Sequence, residues 1–251
     1  MDYQGIPNTN FCPPGIKKLS VVLQEQPFTT DEFVYNSHGL CMSHTNFVNW
    51  QVIEQSFNEQ GNIKEKKVYT FTETPQDKKP SSREKYSYEG GYLSKLQHFD
   101  YDDNLEYETH FLYEENRLKK EIYQYSNDSF ETNYLYVSNQ KIIQYPDEMD
   151  RDVYTFDERG FLIEMIKFRE DEGKIHRYTY ANNRLETFTE LPWLFFGEED
   201  DTGETWWQDN RDYVMEHLYQ YIDNSSLFVQ SIRKKDTLND DLKGIKIYQY
   251  S

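Results

Sequence analysis

Along most of the chain, apolar positions alternate with polar ones at a spacing of two, and the alternating apolar positions are aromatic. The stretch "YTYANNRL" shows the pattern: Tyr178 and Tyr180 stand at i and i+2, Asn183 follows, and Leu185 opens the next apolar run. Residues two apart project from one side of an extended strand, so each aromatic pair predicts one half-buried strand face. Asn or Gly then supplies the positive φ that a tight reversal needs. Leu or Ile after it starts the returning strand. Each such stretch is predicted to be one β-hairpin.

Anchored on its second aromatic, the motif recurs at Tyr35, Phe57, Tyr88, Tyr113, Tyr136, Phe156, Tyr180 and Tyr221, and a half-repeat closes on Tyr250. The corner residues are Gly39, Gly61, Gly91, Asn116, Asn139, Gly160, Asn183 and Asn224, and Leu93, Leu118, Ile142, Leu162 and Leu185 begin returning strands. Because such hairpins must cover each other's aromatic faces, the repeat predicts one cooperative, quasi-linear sheet. The repeated Tyr and Phe are read as packing residues and are given no catalytic role.

One repeat, "YTFDERGFLIEMIKF" at 154–168, resembles the RHS/YD-repeat family, whose repeats read roughly as Tyr, any residue, Tyr or Phe, Asp, two residues, Gly, a variable residue and Leu. Other repeats here replace Asp by Glu or Asn, and Gly by Asn. The resemblance covers roughly residues 33–188. Long members of that family look like curved β-sheets wound into shells around toxin domains, which implies antiparallel hairpin stacking; eight or nine repeats are too few to close such a shell. The expected fold class is therefore all-β: an antiparallel hairpin array forming one extended, twisted or curled sheet, with a short helix in an insertion. The chain divides into a leader over 1–30 packed on the sheet, repeats over 31–188, an acidic and aromatic insertion over 189–218, and closing hairpin repeats over 219–251.

Composition supports β structure: Ala181 is the single alanine, and aromatics make up 17% of the chain, so the best helix former is nearly absent while strand formers abound. Forty-five acidic residues against 27 basic ones leave a net charge of −18, which repels phosphate backbones and anionic lipid and attracts cationic proteins. The competing reading is that acidity keeps an aromatic-rich surface soluble. No nucleic acid or membrane partner is expected. The opening "MDYQGIPNTNFCPPG" lacks a basic segment followed by an apolar run, so a cytoplasmic protein is expected, with Cys12 and Cys41 as free thiols.

The repeat is interrupted between Tyr180 and Tyr221 by "ELPWLFFGEEDDTGETWWQDNRDYVMEHL". Insertions held by a rigid scaffold are where binding residues concentrate. The partner-binding candidates are Glu198, Glu199, Asp200, Asp201, Glu204, Trp206, Trp207 and Asp209, with a solvated acidic loop and an aromatic core as the competing reading. Trp207, Val214, Leu218 and Tyr221 stand at near-helical spacing with Asp209 as a cap, which predicts a short helix. His38, Cys41 and His44 recur at intervals of three, but a strand turns Cys41 away from both histidines, so no metal is assigned. Phosphate loops, nucleophile elbows and zinc-protease motifs are absent from the sequence; no enzyme and no cofactor are expected.

These readings converge on a non-enzymatic acidic binding protein. The charge and the family resemblance together suggest a bacterial immunity protein that occludes the active site of a basic cognate toxin, such as a nuclease. A carbohydrate-binding or surface-associated repeat module and a DNA mimic are the alternatives. The sequence leaves the oligomeric state open.

Overall fold

The computed structural model describes residues 15–24, 28–147, 150–169, 172–199, 205–209, 215–221, 229–236 and 241–251. The chain forms two compact units, one of Asn8–Glu131 with Ile247–Ser251 and one of Met1–Pro7 with Thr132–Lys246. The strands are β1 (Lys18–Leu23), β2 (Thr29–Tyr35), β3 (Cys41–Asn46), β4 (Gln51–Phe57), β5 (Ile63–Thr70), β6 (Lys79–Glu89), β7 (Tyr92–Phe99), β8 (Leu105–Glu114) and β9 (Arg117–Tyr125). They continue as β10 (Asp128–Val137), β11 (Gln140–Gln144), β12 (Arg151–Phe156), β13 (Leu162–Arg169), β14 (Glu172–Ala181) and β15 (Arg184–Glu199). The last are β16 (Thr205–Asp209), β17 (Met215–Tyr221), β18 (Val229–Asp236) and β19 (Asp241–Tyr250).

Two kinds of corner reverse the chain. Gly90–Gly91, Glu115–Asn116 and Asn182–Asn183 are two-residue turns in which both residues have positive φ, between 49° and 87°, as a twisted hairpin of this type requires. The other kind is a five-residue loop closed by an Asn or Asp side chain. Asp157 Oδ1 accepts the backbone N–H groups of Arg159 and Phe161, both at 2.9 Å, and Gly160 takes a φ of 84°. Asn36 and Asn58 build the same loop, with Gly39 and Gly61 at the left-handed position. This is the physical meaning of the Asp/Asn-x-x-Gly segment: the side chain replaces backbone hydrogen bonds that the turn cannot make. A fourth such loop, Asp100–Asn104, escapes the sequence pattern because Asp103, at φ 71°, stands where glycine is expected. At residues 138–139 the positive φ belongs to Ser138 and not to Asn139, while Asn224 lies outside the described residues.

The second aromatic of a repeat has its own task. Tyr88 Oη donates to the Ile63 carbonyl at 2.9 Å, Tyr180 Oη to that of Leu162 at 2.8 Å, and Tyr221 Oη to that of Leu185 at 2.7 Å. In each case the acceptor opens the returning strand of the preceding repeat, so tyrosine ties neighbouring repeats while its ring packs. Pairing also slips by one residue immediately before Tyr35, Phe57, Tyr88, Tyr113, Phe156, Tyr180 and Tyr221. A bulge adds twist and bends its strand.

The strand pairing corrects the expected extended, twisted or curled sheet. The hydrogen-bonded order has no end: β1 pairs β2 on one side and β19 on the other, so the strands close into an antiparallel barrel topology. Lys17 N–H and Lys18 N–H donate to the Ser251 carbonyl at 2.8 and 2.9 Å, and Ser251 N–H returns to Lys18 at 2.9 Å. Of the nineteen strands among the described residues, β16 alone stands outside this ring, because β15 pairs β17 through Thr187–Glu190 and β16 through its later residues.

The expected helix in the insertion is also corrected. Thr205–Asp209 and Met215–Tyr221 are strands, and the described residues contain no helix beyond the 3-10 turn Pro75–Asp77. In β17 the alternation Met215, His217, Tyr219, Tyr221 places one residue set opposite Glu190 and Phe188 of β15, and cross-strand partners outweigh the helical spacing. Val214 lies outside the described residues.

Each unit has its own apolar centre. In the first, Leu19, Val21, Phe33, Tyr35 and Cys41 form a buried cluster against which Ile16, Tyr248 and Tyr250 pack. Burial pushes the Cys41 thiol up to about 11, so it stays protonated. In the second, Phe161, Leu162 and Leu185 are fully buried.

Candidate functional site

Within the acidic and aromatic insertion, the described residues of β15 and β16 pair as two antiparallel strands. Trp193 pairs with Asp209, Phe195 with Trp207, and Glu199 with Thr205 across β15 and β16. Backbone pairing thus brings Glu198 and Glu199 near the start of β16, the strand that carries Trp206, Trp207 and Asp209. Asp200, Asp201 and Glu204 lie outside the described residues.

In the first unit, the cations of the strands are largely committed to carboxylates. Lys18 pairs with Glu32 at 2.6 Å, Lys66 with Glu84 at 3.2 Å, and Arg83 with Asp103 at 2.6 Å and Glu65 at 3.7 Å. Lys95 reaches Glu108 at 3.8 Å and Lys120 reaches Glu131 at 2.6 Å. With 45 acidic residues against 27 basic ones, internal pairing consumes positive charge first and leaves the negative excess uncompensated. An open cleft of about 250 Å³, lined by Lys67, Tyr69, Arg83, Asp100 and Asp103 among others, is crossed by the Arg83–Asp103 pair. His44, from the His38/Cys41/His44 spacing, stacks on Phe33 at 4.2 Å and bonds Asp31 at 2.9 Å. Among the described residues, no group of three or more His, Cys, Asp or Glu is arranged to hold a metal ion.

An aromatic ladder that the sequence pattern missed crosses β7 to β10. His98 stacks on Tyr107 with centroids 4.6 Å apart, Tyr107 stacks on Tyr123 at 4.5 Å, and Phe130 follows at 6.4 Å. Tyr125, directly opposite Tyr107, shares the face of Tyr123 by the two-residue period. Carboxylates edge the ladder: Glu106 lies 3.3 Å from His98 Nε2, and Glu84, which accepts from Lys66 and from the Tyr86 hydroxyl, lies 3.9 Å from His98 Nδ1. Burial, then the Tyr123 phenol and the charges of Glu84 and Glu106, raise the Tyr107 phenol above its usual value. The missed signal is "YETHFLY" followed by "YQY", which places ring pairs in adjacent strands outside the repeat's anchor positions.

The second unit holds two half-buried histidines. His176 lies edge-on to Phe188 at 5.1 Å, and Phe188 lies 5.1 Å from His217. Nε2 of His176 has no hydrogen-bond partner, and Glu190 is 3.9 Å away. Burial lowers both pKa values; Glu190 opposes the shift, while Lys167 and Lys174 reinforce it at His176 and Lys234 and Lys246 at His217. A depressed folded pKa means that the unfolded chain takes up these protons first. Stability is therefore retained above the unfolded value of about 6.5 and lost as pH falls from there through the lower folded values. Thermal unfolding at pH 7.5 and pH 5 should show a larger drop in Tm for the native chain than for H176F/H217F; equal drops would assign the acid sensitivity to other groups.

No family model matches the chain, and no curated protein matches it. Solved structures with similar strand arrangement include a porin-like protein from Bacteroides uniformis ATCC 8492, at 10% identity and a TM-score of 0.43, covering 100% of both chains. A TcdB2-TccC3-Cdc42 structure matches at 12% identity and a TM-score of 0.34, covering 88% of this chain. The Photorhabdus luminescens Tc holotoxin pore matches at 10% identity and a TM-score of 0.30, covering 87% of this chain. This chain spans about 13% of the length of those two toxin chains.

Proposed function

We propose that this chain is a non-enzymatic binding protein whose acidic surface engages a basic protein, and that, in keeping with its RHS/YD-like repeats, it serves as an immunity protein against a cationic toxin. The observation that carries the proposal is the uncompensated negative charge. Several cations of the first unit pair with carboxylates of the same unit, and a net charge of −18 remains for a partner of opposite sign. Such a field raises association rates with a cationic surface and occludes it by charge complementarity. The ribbon of β15 and β16, which carries Glu198, Glu199, Trp206, Trp207 and Asp209, is one contact surface on this reading, and Asp200, Asp201 and Glu204 lie between the two strands in sequence.

A lipid-spanning role fits the strands poorly. A spanning strand needs an apolar lipid-facing side, yet β5 carries Lys66 on one face and Glu65 and Lys67 on the other, and β6 carries Glu84 against Arg83 and Lys85. These charges support a water-exposed protein.

Affinity capture with the intact chain, followed by kinetics against the recovered partner, tests the proposal. A partner of basic pI is expected, with an association rate that falls at least about tenfold from 50 to 200 mM salt. Recovery of a neutral or acidic partner, or salt-insensitive association, would overturn it.

A further inference from the structure

At several rings this chain covers the aromatic face with a cation. Arg83 lies 4.6 Å from the Phe99 centroid, Arg151 4.4 Å from Phe168, Arg169 4.7 Å from Tyr145, Arg159 4.8 Å from Phe161, and Arg184 4.7 Å from Tyr221. The ladder across β7–β10 carries no such cation: among the described residues none stands over Tyr107, Tyr123, Tyr125 or Phe130, although this is the longest run of neighbouring rings in the first unit.

The ladder opens toward solvent along its length. His98 and Tyr107 are partly buried, whereas Tyr125 and Phe130 are each 49% exposed. Its edge carries acidic groups: Glu106 and Glu84 beside His98, with the charge of Glu106 also acting on Tyr123. Flat ring faces a few ångströms apart with carboxylates at the rim suit a planar cation, which stacks on the ring and donates to the carboxylate. A guanidinium meets both demands, whereas an ammonium offers only a point charge.

We infer that the exposed end of this ladder, centred on Tyr123, Tyr125 and Phe130 with Glu106, is a docking site for an arginine-bearing segment of a basic protein. The site rests on the reading of this chain as a binder of basic proteins, and its occupant supplies the kind of ring-face cation that the chain itself provides at Phe99, Phe168 and Tyr145. Charge complementarity selects the occupant, and planarity selects arginine over lysine.

Titration of the full-length protein with hexa-arginine and hexa-lysine peptides at 150 mM salt tests the site. Hexa-arginine is expected to bind at least about fivefold more tightly, and Y125A/F130A to reduce its affinity about tenfold while leaving hexa-lysine binding unchanged. E106Q should weaken hexa-arginine with the rings intact, and F130Y should restore affinity in the Y125A/F130A background when introduced as Y125A/F130Y. Both substituted rings are half exposed, so Tm serves as the folding control, and if the double variant is unfolded, Y125A alone is read. Equal affinity for the two peptides, or an unchanged hexa-arginine affinity in a folded Y125A variant, would overturn the inference. A neutral oligosaccharide such as cellohexaose binding in place of the peptide, with the same ring dependence, would overturn the cationic occupant. If the captured basic partner binds Y125A/F130A as well as it binds the native chain, the ladder inference fails and the binding proposal stands. If no basic partner exists, the broader proposal fails whatever the peptides do.

Discussion

Ending the chain at Lys246 is expected to abolish cooperative folding and drive self-association. The five residues removed close the seam. Ser251 supplies a carbonyl to Lys17 and Lys18 and an N–H to Lys18, and Tyr248 and Tyr250 pack against the Leu19/Val21/Phe33/Tyr35/Cys41 cluster. Each large side chain lost from such packing costs about 1.5–3 kcal/mol, and the lost pairing bares one edge of β1. The total is comparable to the whole stability of an ordinary domain, about 5–15 kcal/mol. An unpaired edge beside exposed apolar rings is also a template for joining another chain. Calorimetry should show loss of the native transition, and light scattering should show oligomers. A monomer with native Tm would mean that the seam is dispensable.

The second large effect centres on a buried carboxylate. Asp152 is 3% exposed, and it accepts from Arg169 Nη1 at 2.9 Å, Tyr145 Oη at 3.0 Å and Tyr154 Oη at 3.4 Å. Burial, together with the adjacent Asp152 charge, pushes the Tyr145 phenol up to about 12, so it remains a donor. The guanidinium also covers the Tyr145 ring. Replacing Arg169 with leucine leaves the carboxylate buried beside hydroxyl groups alone. The expected loss is about 3 kcal/mol, the lower end for breaking a buried pair, because 35% of the Arg169 side chain is exposed and water partly screens the pair. D152L/R169L is expected to recover more than half of that loss, since the uncompensated charge is gone while the packing volume remains. Denaturant unfolding of the four chains of this cycle measures the coupling. Additive losses would show that Asp152 and Arg169 do not stabilise one another.

The legible part of this protein is local. Asp157, its two N–H donors and Gly160 lie within five residues, so an Asp/Asn-x-x-Gly segment carries its own turn chemistry. The i, i+2 aromatic pairs likewise reveal strands. Where the residue departs from the pattern, local reading fails: Asp103 takes the left-handed position that glycine fills in the other Asx-closed loops, and Ser138, in place of the expected Asn139, has the positive φ. The candidate ribbon was legible as an interruption of the repeat, but its form was not. Leu218 and Tyr221 stand at near-helical spacing with Trp207 and Val214, yet pairing with Thr187–Glu190 and with β18 makes Met215–Tyr221 a strand.

Sequence alone therefore determined the hairpin repeats, their corners and the acidic excess, because each depends on composition or on residues a few positions apart. Tertiary structure decided that the sheet closes, that Asp152 finds Arg169, and that His98, Tyr107 and Tyr123 stack across three strands with Phe130 tilted beside them. The physical reason is that closure sums the bend of many bulges, and pairing partners are chosen by strand register, which no single hairpin encodes.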